Sequence, residues 1–240
     1  MRSFSSFAAV AVLASALVLP ICGCNKDLLK EDPSGMTVEE RAKYITKLWR
    51  QCDKGIAKAT AVPEDDIERR IKILEEEALP YGKRGFEVAG DMAHQPLRGF
   101  AQAAALLGGE YALLAKKLQA QSSDPAAQAR AAEYRKTARK YMELAARLLL
   151  RYERVWQDRR PWPQLYSLMV FNYSNMEDYR SAYLVALKGL YRLKNYAKRR
   201  PGDPELDKSI RLWENLARAL RKRLIDRLEP VPEDPYGVLP

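Results

Sequence analysis

From Ala127 to Val155, nine apolar residues recur at alternating steps of four and three: Ala127, Ala131, Tyr134, Ala138, Tyr141, Ala145, Leu148, Tyr152 and Val155. On a strand this spacing scatters side chains over both faces, whereas on a helix it draws a single stripe. Asp124 and Pro125 supply a cap residue and a proline at the first helical position. Small and large residues alternate along the stripe. That alternation suits an antiparallel neighbour within the chain, with an extended self-associating coil as the alternative.

The same period recurs elsewhere. Thr37 and Glu40 make a capping box ahead of Val38, Ala42, Ile45, Leu48, Cys52, Ile56 and Ala59. Pro63 with Glu64, Asp65 and Asp66 marks a second start, serving Ile67, Ile71, Leu74 and Ala78, and Pro80, Tyr81 and Gly82 are expected to close it. A short helix over Phe86–Met92 is expected to break near Pro96, before Leu97, Phe100, Ala101, Ala104 and Leu107 resume the period. Gly108 and Gly109 weaken that helix or allow close packing. After Pro161–Trp162–Pro163 come a short helix through Met176, a stripe from Tyr179 to Ala197 ended by Pro201 and Gly202, and a last stripe from Leu206 to Leu224 behind Asp203 and Pro204. No segment sustains a two-residue alternation between turn signals, so the expected class is all-α, antiparallel helical hairpins forming a bundle or short solenoid.

Residues 1–23 carry one charge, Arg2, and a run of 13 residues from Phe7 to Leu19 that is apolar except for Ser15. That length suits a signal-peptide core and falls short of the ~20 residues of a crossing helix. The run Ile21, Cys22, Gly23, Cys24 resembles the lipobox of bacterial lipoproteins. The resemblance makes Cys24 the acylated new N-terminus, although Cys22 departs from the usual small or aliphatic residue. It implies export and a lipid anchor facing the periplasm or the cell exterior. Asn25, where some bacteria use aspartate as an inner-membrane signal, inclines the resemblance to the outer membrane. The expected layout is a leader over 1–23, a flexible tether over 24–36, one helical domain over 37–229 and a proline-rich extended tail over 230–240. With Cys24 acylated, Cys52 is the one thiol left, so no disulfide framework can staple the fold.

Residues 166–189 resemble a tetratricopeptide repeat at Tyr166, Met169, Tyr173, Tyr179, Ala182 and Gly189. Leu107, Gly108 and Tyr111 resemble the first helix of another, which places such hairpins within 97–229. The spacing between the two is not the family's 34 residues, Val170 replaces its glycine, and Lys194 stands where the closing proline belongs.

The net charge of +10 comes from 41 basic and 31 acidic residues. Its surplus is confined to the second half: residues 24–121 hold 16 of each sign, residues 122–230 hold 24 basic and 13 acidic. Lys140, Arg147, Arg151 and Arg154 line one side of the long helix. Lys198, Arg199, Arg200, Arg221, Lys222 and Arg223 crowd two helix ends that a hairpin can bring together. Some of these cations complement helix dipoles, and many need no partner beyond water. Together the ten form a candidate surface for an anionic partner. Export removes nucleic acid as that partner.

Chemical signatures are sparse. His94 and Asp91 are three apart, but a zinc site needs three or four ligands, so neither metal nor cofactor is expected. Cys52 lies on an apolar stripe and reads as a small buried hydrophobe. Glu75, Glu76 and Glu77 are consecutive, diverge around a helix, and read as a solvated face. No catalytic residue is assigned. The expected function is a non-enzymatic, membrane-anchored helical adaptor for another envelope protein, with binding of an anionic polymer or lipid head group through the basic second half as the alternative.

Overall fold

A computed structural model of the chain describes residues 26–90, 92–156 and 161–239. The leader and Cys24 lie outside them. The described chain is all-α. Its helices are α1 (Val38–Thr60), α2 (Ile67–Ile73), a π-helical turn (Leu74–Ala78), α3 (Leu79–Ala89), α4 (His94–Gln121), α5 (Pro125–Val155), α6 (Pro163–Asn175), α7 (Tyr179–Lys198) and α8 (Pro204–Asp226).

The capping box forms at α1: the Glu40 amide donates to Thr37 Oγ1, and the Thr37 amide donates back to Glu40 at 2.8 Å. The segment before it is tied down. A 3-10 turn at Lys26–Leu29 buries Leu28, whose carbonyl accepts the Tyr44 hydroxyl at 2.7 Å. Arg84 reaches the Glu31 carbonyl at 2.9 Å, and Arg41 reaches that of Pro33 at 3.2 Å.

Two expected breaks fall elsewhere. Pro80 does not end a helix: α2, the π turn and α3 run on continuously from Ile67 to Ala89. An α-helical proline would press on the carbonyl four residues back; here it follows a wider π turn and stands at the second position of α3. The break comes instead at Gly90, whose φ of 54° suits glycine. Pro96 is accommodated inside the first turn of α4, where amides lack helical acceptors anyway. At the second start the helix opens at Ile67, with the Asp66 side chain accepting from the Arg69 amide; Pro63 stands before it in a turn.

Helix α4 is the wall shared by two cores. One is built on Tyr44, Leu48, Cys52, Ile71, Leu74 and Tyr81, with Ala103 and Leu107 from α4. The other joins Leu97, Ala101 and Ala104 to the inner faces of α5, α6, α7 and α8. Burial of each fully enclosed leucine stabilises the fold by ~1.5–3 kcal/mol over leaving it exposed. Alanine and glycine let α4 carry neighbours on several sides: a Cβ on Gly108 would meet Met142 Sδ at 2.9 Å, and one on Gly109 would meet Asn172 Cγ at 2.9 Å. The α4–α5 hairpin is antiparallel across a three-residue link, as the alternating stripe predicts. Asp124 stands at the cap of α5, although its side chain makes no capping bond.

Helices α6, α7 and α8 form consecutive hairpins. Asp178 and Asp203 cap α7 and α8 through their carboxylates. Trp213 of α8 lies on Gly189 and meets the Tyr166 ring edge-on at 6.0 Å. Residues 230–239 return along α7. Val238 is buried, its carbonyl accepts from Lys194 at 2.8 Å, and Tyr236 stacks on Tyr191 at 4.9 Å.

Candidate docking surface

Helix α5 turns Ala131, Ala138, Met142, Ala145, Leu148, Leu149 and Tyr152 inward. The opposite face holds its basic residues. All eight, from Arg130 to Arg154, are exposed, against two exposed acids, Glu133 and Glu143. Lys136, Lys140, Arg147 and Arg154 follow one another at steps of four and seven, a row ~27 Å long at 1.5 Å per residue. Ala132, Arg135, Lys136, Arg139, Lys140 and Glu143 line an open depression of about 460 Å³. Arg135 with Arg139 and Lys136 with Lys140 are like-charged pairs one turn apart, an arrangement that destabilises a bare helix by ~0.2–0.5 kcal/mol per pair.

Of the ten basic residues singled out in the sequence, Lys140, Arg147, Arg151 and Arg154 share this helix. Arg151 lies over the Phe86 ring at 4.8 Å, which ties it to α3. The other six are not brought together. Arg223 donates to the Tyr179 hydroxyl at 3.3 Å, at the first residue of α7, whereas Lys198, Arg199 and Arg200 stand at its far end. The two groups are therefore a helix length apart, ~28 Å over 19 residues. The hairpin is antiparallel, and both groups sit toward C-terminal ends, so the expected juxtaposition fails. Arg200 packs over its own neighbour Tyr196 at 5.4 Å, and Arg221 and Lys222 are exposed.

Charged residues that sequence reasoning passed over sit inside. Glu153 is buried, meets Lys188 at 3.4 Å and Arg192 at 3.2 Å, and accepts the Tyr166 hydroxyl. It thereby joins α5 to α6 and α7. Burial raises its carboxyl, and the two cations oppose that shift. Glu110 of α4 is likewise buried against Arg70 of α2 at 2.8 Å, its carboxyl raised by burial and lowered by Arg70. A signal for Glu110 was present: it is the one charge between Gly99 and Ala115.

The glutamate run is not one solvated face. Glu76 is exposed, Glu77 pairs with Lys58, and Glu75 accepts the hydroxyls of Tyr111 at 2.8 Å and Tyr141 at 3.3 Å. Burial, then the Glu75 contact, raises the Tyr111 hydroxyl. Cys52 is fully buried, and its thiol is pushed up to about 12, first by burial and then by Asp53. That is the opposite of activation. His94 opens α4, 6.0 Å from the Trp156 ring, and Asp91 lies outside the described residues. Among the described residues no group of three or more histidine, cysteine or acidic side chains is placed to hold a metal, and no helix is long and apolar enough to cross a membrane.

Comparison of the chain with protein-family models, curated proteins and solved structures finds no match.

Proposed function

We propose that the protein is a bacterial lipoprotein, anchored by acylated Cys24 to a membrane on its periplasmic or outer side, the outer membrane in the first instance. There it acts as a non-enzymatic helical scaffold that holds another envelope protein. The observation that carries the reading is α5, a 31-residue helix seated on α4 along one side and open along the other. A rigid two-core body supports it. Rigid helices that present long outer faces suit partner binding because little order is lost on docking. The lipobox-like run supplies the membrane half of the reading. The repeat-like hairpin α6–α7 adds a second helical face, with Tyr166, Met169 and Ala182 buried within it.

The test is incorporation of labelled palmitate by cells expressing the chain, followed by membrane fractionation. The wild-type chain is expected to take up label and sediment with membranes, and Cys24→Ser to do neither. Undiminished labelling of Cys24→Ser would overturn the lipid anchor.

A further inference from the structure

We propose that the outer face of α5 docks on anionic lipid head groups of the membrane that carries the protein. The inference rests on the lipid-anchored reading above and adds to it a site and a ligand chemistry, giving the outer face of α5 to the membrane and leaving the α6–α7 hairpin to the protein partner. The first observation is charge. Lys136, Arg139, Lys140 and Arg147 are exposed on one face, against the two exposed acids Glu133 and Glu143. Among the described residues, Arg139, Lys140 and Arg147 form no ion pair, and Lys136 has Glu133 at 4.0 Å. Two like-charged pairs one turn apart, Arg135 with Arg139 and Lys136 with Lys140, line the depression together with Glu143, and like charges at that spacing repel. Anions seated there remove a repulsion that the bare helix carries.

The second observation is the leash. Residues 26–36 form no free tether: Leu28 is buried and Tyr44, Arg84 and Arg41 bond successive backbone carbonyls along the segment. Cys24 precedes Lys26 by two residues, a reach of ~7 Å at most. A lipid there holds the folded body against the bilayer. Among anionic surfaces, the bilayer is then the one present at high effective concentration, and basic residues near it are drawn to its phosphates within a Debye length. An acidic protein is not tethered to the chain and has no such advantage.

The full lipidated chain, carrying Glu143→Cys as the attachment point for a fluorophore, is reconstituted in vesicles of phosphatidylcholine alone or mixed with phosphatidylglycerol. Buried Cys52 leaves the new thiol as the selective target. Flotation reads the anchor, and quenching of the label by aqueous acrylamide, a neutral quencher that an anionic surface does not repel, reads the docking. Expected is flotation with both vesicles and a several-fold lower quenching slope on the anionic ones. That protection is expected to vanish at ~1 M salt, where the Debye length falls to ~3 Å, and in the combined variant Lys136→Glu, Arg139→Glu, Arg147→Glu. Equal quenching on both vesicles overturns the proposal, leaves the anchor standing and gives the face to an acidic protein. Flotation on anionic vesicles alone, with protection, supports the docking and overturns the lipid anchor. A circular dichroism spectrum matching wild type shows that the variant is folded, and full protection in a folded variant also overturns the proposal.

Discussion

A Cβ on Gly55 would stand 2.8 Å from the amide nitrogen of Ala78, against backbone of the π turn. Alanine at an exposed helical glycine normally stabilises by ~1 kcal/mol. Here the contact is with main chain that cannot rotate away, so overpacking wins, and Gly55→Ala is expected to cost about 1–3 kcal/mol in urea unfolding. A stabilised variant would show that the π turn yields. At the tail, burial raises the Asp234 carboxyl, but amides of Leu239, Tyr236 and Val238 donate to it and outweigh that effect, holding it below its ordinary 3.8. A depressed carboxyl contributes stability that is present above 3.8 and lost as pH falls through the folded value. Hydrogen exchange at Val238 and Leu239 is therefore expected to lose protection only below pH 3.8, and Asp234→Asn to lose it at neutral pH. The contacts that join separate segments were illegible in the sequence because they link residues far apart in the chain: Glu75 to Tyr141, Glu153 to Arg192, Lys194 to Val238.

At the scale of elements, periodicity and caps carried most of the information. The stripes of α1, α5, α7 and α8 became helices, with Thr37 and Asp203 capping as their sequence marks, Asp124 at its place without a capping bond, and Asp178 a cap the sequence did not single out. Proline misled where its neighbours changed its meaning. Pro80 follows a π turn and Pro96 lies in a first turn, so both sit within helices. The basic row on α5 was legible because one helix fixes its own geometry. The placement of Lys198–Arg200 against Arg221–Arg223 was not, since it depends on how two helices pair. That pairing has a weight-bearing residue in Trp213, whose ring fills the space above Gly189. Trp213→Ala is expected to cost about 3–5 kcal/mol and to open the α7–α8 hairpin. Tyr191 and Tyr236 amides exchanging no faster in the variant would contradict that.

For the whole molecule, one central helix with small residues lets two cores share a wall, and the body holds together with no disulfide among the described residues. The first described residues are bonded to that body through Leu28, Glu31 and Pro33. Charge asymmetry follows from the same plan: the half nearest Cys24 is balanced, and the surplus rides on α5 and the helices after it. On the proposed scaffold reading, a partner held by apolar and shape contacts stays bound in salt, while anything held by the basic face answers to ionic strength.

The most direct test of the scaffold reading is capture of the tagged chain from crosslinked, detergent-solubilised native membranes, washed at low and at high salt and read by mass spectrometry. The account predicts one protein recovered in stoichiometric amount at both salt concentrations. Recovery of the chain with lipid or anionic polymer alone, lost in high salt, would contradict it.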